Sequence, residues 1–338
     1  MIARMQSDSL LPLLEKAVSA RESFMDAEHV CAIRLFNGFS EGFPDLVIDL
    51  FGKTAVLHDY SELTADKSQI GIAERFLQSR FEWIQAIVLK SRRGGHPADK
   101  TGTLIYGKSI DRKIKEHGVW YQIDLTMNQD TSFYLDMNPL RKWAIQNLAG
   151  KTVFNTFAYT GSLGVAALAG GATRVLQSDL NRTFLNVAKD SYSLNRFSIQ
   201  KSDFYTGDFW SHVKRLKQGG ERFDCVFLDP PFFATSKKGT IDLETNSLQL
   251  INKVRPLISH NGYLVAVNNA VFLSGKSYME TLDQLCEGGY VTIDRLIDVP
   301  ADYTGYPDTR VGLPPQDPAP FNHSTKIAVL KLTRKDAV

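Results

Sequence analysis

From residue 137 to the C-terminus the chain alternates short apolar runs with amphipathic stretches of helical period, and few folds accept that rhythm. Residues 152–157, 173–178, 223–228, 262–267, 290–296 and 326–332 read as strands, with a weaker one in 198–204. Residues 139–148, 163–169, 182–195, 246–258 and 276–286 read as helices. A helix between two strands returns the chain to the same end of the sheet, so such strands pair in parallel. The pattern predicts an α/β fold with a doubly wound, mostly parallel sheet of Rossmann-like form. No helix separates the last two strands, so an antiparallel finish is expected.

Residues 1–125 have a different texture and are predicted to form a small α+β domain, leaving 126–338 as the ligand-binding domain. Leu10, Leu13, Leu14, Ala17 and Val18 share one face of a helix predicted over 10–25. A turn-rich segment follows at 36–44. Two apolar runs, 46–51 and 54–58, flank Gly52-Lys53 and predict a β-hairpin. A helix over 66–80 and strands at 86–90, 103–107 and 119–125 complete the domain. A chain of 338 residues exceeds what one core usually serves, which agrees with two domains.

The three cysteines, Cys31, Cys225 and Cys286, are odd in number and far apart. They suit a reducing compartment and argue against a disulfide framework or a structural zinc site. No signal segment and no membrane-length apolar run is visible, so a cytoplasmic protein with no membrane partner is expected. The net charge of +2 excludes a strongly basic nucleic-acid coat but leaves room for a local basic patch.

Four motifs fall at the carboxyl ends of predicted strands, where open α/β sheets bind ligands. The first is Asn155-Thr156-Phe157-Ala158-Tyr159-Thr160-Gly161-Ser162, a strand, a tight turn and a helix start; Gly161 lets backbone approach a ligand closely. It lacks the full G-x-G-x-x-G pattern, which weakens a dinucleotide reading. The second is Asp179, eighteen residues beyond Gly161, followed by Leu180. A carboxylate there suits ribose hydroxyls, with helix capping as the alternative. The third is Gly207-Asp208-Phe209, where an acceptor and a ring suit an adenine; a solvated turn is the plainer alternative. The fourth and most specific is Asp229-Pro230-Pro231-Phe232 at the end of an apolar strand. Its prolines fix the backbone and remove two donors, leaving acceptors at the crevice for an exocyclic amine. Phe232 can stack on a flipped base.

Together these motifs resemble the class I S-adenosylmethionine-dependent methyltransferases, and within them the bacterial large-subunit ribosomal RNA group that includes the cytosine-C5 enzymes with a PUA domain. Residues 33–49 resemble that group's central-domain signature. Thr131-Ser132-Phe133-Tyr134-Leu135-Asp136 with Arg141 resembles its Thr-Gly-Phe-Tyr-x-Asp…Arg segment. Residues 155–161 resemble its cofactor loop, and 229–232 its Asp-Pro-Pro motif. The resemblance implies S-adenosyl-L-methionine as cofactor, no metal, and an RNA substrate. It implies that Phe157 to Ser162 wrap the methionine end, that Asp179 holds the ribose and Asp208 the adenine, and that Asp229 with Pro230 lies between cofactor and target. Phe133, Tyr134 and Arg141 would close over the cofactor.

Two departures from the group stand out. The PUA module does not precede the signature, so RNA recognition is expected in the small domain, through Lys90, Arg92, Arg93, Lys108, Arg112, Lys113 and Lys115 or as an ordinary solvated face. The cysteine that attacks cytosine C6 is absent from 264–270, and Cys225 and Cys286 read as packing residues. The preferred expectation is direct methyl transfer to an exocyclic nitrogen, with Asp229, Pro230 and Phe232 at the reacting centre and Asn268 and Asn269 either binding the base or forming a turn. Alternatives are a C5 enzyme with another nucleophile, an NAD(P)-dependent oxidoreductase, and an inactive RNA-binding module. The Pro-rich stretch 303–323 is expected as a covering loop or as a rim of the target pocket carrying Asn322 and His323.

Overall fold

The computed structural model describes residues 2–62, 67–96, 99, 101–236 and 239–337. Two units emerge: Met1–Asp136 with Pro300–Leu313, and Met137–Val299 with Pro314–Val338.

In the first unit, runs rich in Val, Ile and Leu make the strands β1 (Ala32–Asn37), β2 (Leu46–Phe51), β3 (Thr54–Asp59), β4 (Ala86–Ser91) and β5 (Thr103–Gly107), ordered β1-β2-β3-β4-β5. Only β3 and β4 pair in parallel, because the helix Ser68–Arg80 carries the chain between them. Helices Ile2–Ser19 and Ser68–Arg80 bury Leu10, Leu14, Ala73 and Leu77 with Ile33, Leu35 and Ile48 of the sheet. A separate antiparallel ribbon joins β6 (Lys113–Glu116) to β7 (Val119–Gln122).

Strand β1 is missing from the sequence-based reading because Arg34 breaks its apolar run. The structure neutralises that cation. Its guanidinium donates to Asp49 at 2.7 and 3.2 Å and lies 3.8 Å from the Tyr303 ring centroid. Arg21, also buried, donates to both Glu41 oxygens at 3.0 and 3.1 Å and to the Asp302 carbonyl at 2.7 Å. Thr309 Oγ1 donates to Glu41 at 2.5 Å. Residues 300–313 are therefore anchored on this unit. Asn322 instead pairs with both backbone groups of Val299, at 2.9 and 2.7 Å, and His323 Nδ1 accepts from the Thr325 amide.

The second unit contains β8 (Thr152–Thr156), β9 (Arg174–Asp179), β10 (Phe204–Thr206), β11 (Phe223–Leu228), β12 (Phe233–Ser236), β13 (Gly239–Asp242), β14 (Ile258–Asn268), β15 (Val291–Ile297) and β16 (Lys326–Leu332). Seven of them form a sheet ordered β10-β9-β8-β11-β14-β16-β15. The first five are parallel, and β16 runs antiparallel to both β14 and β15. This is the doubly wound sheet with an antiparallel finish that the sequence predicts. Strand order reverses between β8 and β11, so the crevice opens at their carboxyl ends. Two side-chain layers cover the sheet, one around Phe154, Val226, Leu250 and Leu264, the other around Trp143, Val153, Phe227 and Val265. Strand β10 starts at Phe204, and the residues before it form a short helical turn, Lys201–Asp203, rather than the predicted strand. The β12–β13 hairpin was not foreseen.

Candidate active site

The turn between β8 and the helix Ser162–Ala169 bends sharply. Phe157, Tyr159 and Gly161 take φ of 48°, 51° and 76°, a region that costs residues with a Cβ roughly 1–2 kcal/mol each. Three hydrogen bonds hold the bend: Ala158 N to Ser178 O at 2.8 Å, Tyr159 N to Asp179 Oδ2 at 2.9 Å, and Gly161 N to Ala158 O at 2.7 Å. Thr160 is buried and Ser162 is half-buried at the helix start.

Beneath the turn lies a polar relay inside the sheet. Asn155 donates to Gln177 Oε1 at 2.8 Å, and Gln177 Nε2 donates to Gly161 O at 3.2 Å and to Tyr192 Oη at 3.3 Å. Asn155 thus reaches the crevice through Gln177. A Cβ on Gly164 would sit 2.3 Å from Gln177 Nε2, so two glycines seat the loop on this amide.

Asp179 ends β9. Its second oxygen accepts from the Asn181 amide at 2.8 Å, and burial raises its pKa above the usual aspartate value. The helix after it is capped by Asn181, whose side chain accepts from Thr183 N, so Asp179 is not spent as a cap. Asp208 is different. It caps the helix Phe209–Gln218, accepting from Ser211 N and Oγ at 3.0 Å each.

Phe157 stacks on Phe209 with centroids 4.6 Å apart. These rings, Ser178, Asp179, Leu180, Gly207, Asp208 and Trp210 line an open concavity of about 430 Å³, and Ala234, Thr235, Gly239 and Ile241 of the β12–β13 hairpin close one side. Ser178 is fixed from behind by His212, whose Nδ1 lies 2.9 Å from its hydroxyl. Aromatic walls beside one uncapped carboxylate, with a glycine turn close by, suit a purine nucleoside carrying a charged tail. Gln177, Ser178, Trp210 and the hairpin are absent from the sequence-based site. A glutamine in the middle of a strand, directly after Val175-Leu176, was the available signal.

Strand β11 delivers Asp229, half-buried, and Pro230, buried, while Pro231 and Phe232 are exposed. Asn268 is fully buried. It donates to Leu243 O and Ser247 Oγ and accepts from Ala270 N, which makes it a turn-former; Asn269 is half-buried. In the first unit Phe133 is buried against Tyr121, and the exposed Tyr134 donates to Asp130. Arg141 is fully buried in the helix Asn138–Asn147 of the second unit. Among the described residues no cluster of His, Cys, Asp or Glu is arranged to hold a metal, and no helix is long and apolar enough to cross a membrane.

The model of the family described as S-adenosylmethionine-dependent methyltransferase matches residues 59–304. The chain belongs to that family. Ribosomal RNA large subunit methyltransferase I of Aliivibrio fischeri is 27% identical over 266 residues, 75% of this chain and 66% of the relative. Ribosomal RNA large subunit methyltransferase K/L of Colwellia psychrerythraea is 28% identical over 302 residues, 86% of this chain and 40% of the relative. The chain thus spans just under two thirds of the first relative and two fifths of the second. The fold matches SMU.776, solved with SAH, at a TM-score of 0.83 and 22% identity, covering 96% of this chain and 82% of that one. Membership in the family makes S-adenosylmethionine the cofactor, and the concavity beside Asp179 fits its nucleoside.

Proposed function

We propose that this methyltransferase modifies an exocyclic nitrogen of a base in large-subunit ribosomal RNA. The observation that carries the reading is Asp229-Pro230-Pro231-Phe232 leaving β11 at the point where strand order reverses. Homologues named as ribosomal RNA methyltransferases support the choice of RNA.

When bound, the cofactor supplies a methyl group on a sulfonium, so positioning carries most of the catalysis. In this reading Asp179 accepts from the ribose hydroxyls, the stacked Phe157–Phe209 pair offers an aromatic wall beside the adenine with Leu180 at the rim, and 158–162 hold the methionine end. The Asp208 carboxylate is occupied as a cap, so the adenine amine meets backbone near it. Asp229 and the Pro230 carbonyl accept from the target amine and turn its lone pair toward the methyl carbon. With the methyl supplied by the sulfonium and a neutral thioether left behind, Asp229 would take the spare amine proton. Phe232 stacks on the base.

The cysteines support nitrogen over C5. Burial pushes the Cys225 thiol far above its ordinary pKa, Cys31 is pushed up to about 12, and Cys286 is also raised. None is a thiolate at neutral pH, and a C5 mechanism needs one. Nucleoside mass spectrometry of ribosomal RNA from a deletion strain tests the reading. Loss of an N-methylated base, restored by wild type but not by Asp229→Ala, is expected. Loss of 5-methylcytosine overturns the nitrogen assignment, and an unchanged profile overturns the RNA assignment.

A further inference from the structure

The first unit carries a charged surface that the methyl-transfer chemistry does not use. Of seven basic residues singled out in the sequence, three are engaged internally. Lys90 is fully buried and donates to the carbonyls of Thr101, Asn128 and Asp130. Arg92 binds the Gln129 carbonyl and the Asp130 carboxylate, and Arg93 pairs with Glu62. Lys108, Arg112, Lys113 and Lys115 remain, and among the described residues none of these four forms an ion pair.

The β6–β7 ribbon organises them. Ile114, Glu116, Val119 and Tyr121 point inward and are buried, so strand alternation turns Lys113, Lys115, Trp120 and Gln122 outward. Lys115 is directly opposite Trp120, and Lys113 opposite Gln122. The Lys113 and Lys115 ammoniums lie 4.7 and 5.5 Å from the Trp120 ring centroid. One indole therefore lies within cation–π range of two cations. The nearby carboxylate, Asp111, is already committed, accepting from Lys53 N and Thr54 Oγ1 at 2.9 Å. Residues 108–115 carry four cations and one carboxylate, whereas the whole chain is only +2, so the rest of the molecule is slightly acidic.

We propose that this ribbon grips the phosphodiester backbone of the RNA, with Lys113 and Lys115 on phosphates, Arg112 and Lys108 extending the track, and the Trp120 indole beneath a sugar or an unstacked base. A polyanion with apolar rings is the ligand whose chemistry matches cations clustered on an indole. The inference rests on the RNA reading above and assigns the substrate a surface outside the methyl-transfer site.

The test is anisotropy titration of in vitro transcribed large-subunit ribosomal RNA fragments across a salt series. It uses wild type, Lys113→Gln/Lys115→Gln and Trp120→Ala, with calorimetry of S-adenosylmethionine and a melting curve for each. The double variant is expected to bind RNA about tenfold more weakly at moderate salt. Its log–log salt slope should fall by about 1.4, the value for two phosphate contacts on single-stranded RNA. Cofactor affinity and melting point should stay at the wild-type values, and Trp120→Ala should weaken RNA binding with a smaller change in slope. The inference is overturned if wild type binds and methylates RNA while the double variant shows the same affinity and slope. A wild type that binds cofactor but no RNA overturns the RNA reading itself, and the ribbon assignment with it. Should Trp120→Ala melt early, Trp120→Phe retains an aromatic ring and is expected to keep most of the affinity.

Discussion

In the proposed reading Asp179 is the carboxylate that holds the cofactor's ribose. It already accepts from two backbone amides, and burial raises its pKa. Ribose hydroxyls donate well only to its ionised form. If Asp179 holds the ribose, cofactor affinity is expected to be full above the raised pKa and to fall as pH drops through it. Asp179→Asn removes the charge while keeping the shape; a hydrogen bond to a charged group is worth about 1.5–3 kcal/mol. We expect roughly a 10- to 100-fold loss of S-adenosylmethionine affinity by calorimetry, with no remaining acid dependence. Gly161 tests the loop differently. At φ 76° a Cβ would lie 2.5 Å from Ala188 Cβ and 2.8 Å from Gln177 Nε2. Both neighbours are fully buried and cannot step aside. Gly161→Ala should cost about 1–3 kcal/mol in thermal or urea unfolding and weaken cofactor binding as well.

Among the elements, legibility in the sequence follows how each one hides its polar groups. Strands β2, β4, β11 and β16 are nearly unbroken apolar runs and are plain in the sequence, as is the pair of prolines that ends the chain's pairing after β11. Strand β1 is not, because Arg34 becomes a strand residue only once Asp49, fifteen positions away, neutralises it. Ribbon strand β6 hides behind Lys113 and Lys115. The β12–β13 hairpin has no alternating apolar signature, since Phe233-Ala234-Thr235-Ser236 pairs with Gly239-Thr240-Ile241-Asp242 around one buried isoleucine. Loop glycines and strand-end carboxylates could be read locally; the wall that this hairpin gives the concavity could not. The Leu243 amide donates to the Phe232 carbonyl at 3.1 Å and closes its base, so the hairpin is a self-contained addition. Replacing 233–242 with a short Gly-Ser loop should lower cofactor affinity on the order of tenfold, because the apolar surface it shields returns to water. Among the described residues of the segment, Ile241 alone is buried in the core and Ala234 packs partly against it, so circular dichroism should keep its α/β shape. Unchanged affinity would show that the hairpin plays no part in holding the nucleoside.

For the molecule as a whole, each unit encloses one histidine that the fold keeps neutral. In the first unit burial lowers the pKa of His58, and the hydrogen bond to Asp49 only partly opposes it against the cations of Arg92 and Arg34. In the second, burial next to Arg215 pushes His212 down to about 4, with its ring stacked 3.7 Å from that of Tyr205. An unfolded histidine takes up a proton as pH falls through about 6.5. Folded His212 does not until about pH 4, so across that window the unfolded chain binds more protons and stability falls with pH. The loss attributable to His212 reaches about 3 kcal/mol by pH 4, and His58 adds in the same direction. Asp49, held well below the usual carboxylate range by Arg34, acts in the same direction but in a lower window: its stabilisation is present above the unfolded carboxylate value and is lost only at more acid pH. The two effects therefore separate on the pH axis. Chemical unfolding at pH 7.5, 6.0 and 5.0 should show a progressive loss in wild type, a shallower slope in His212→Gln, and a slope close to zero in His58→Gln/His212→Gln. A double variant that keeps the wild-type slope would place the proton uptake elsewhere and refute this account of the two buried rings.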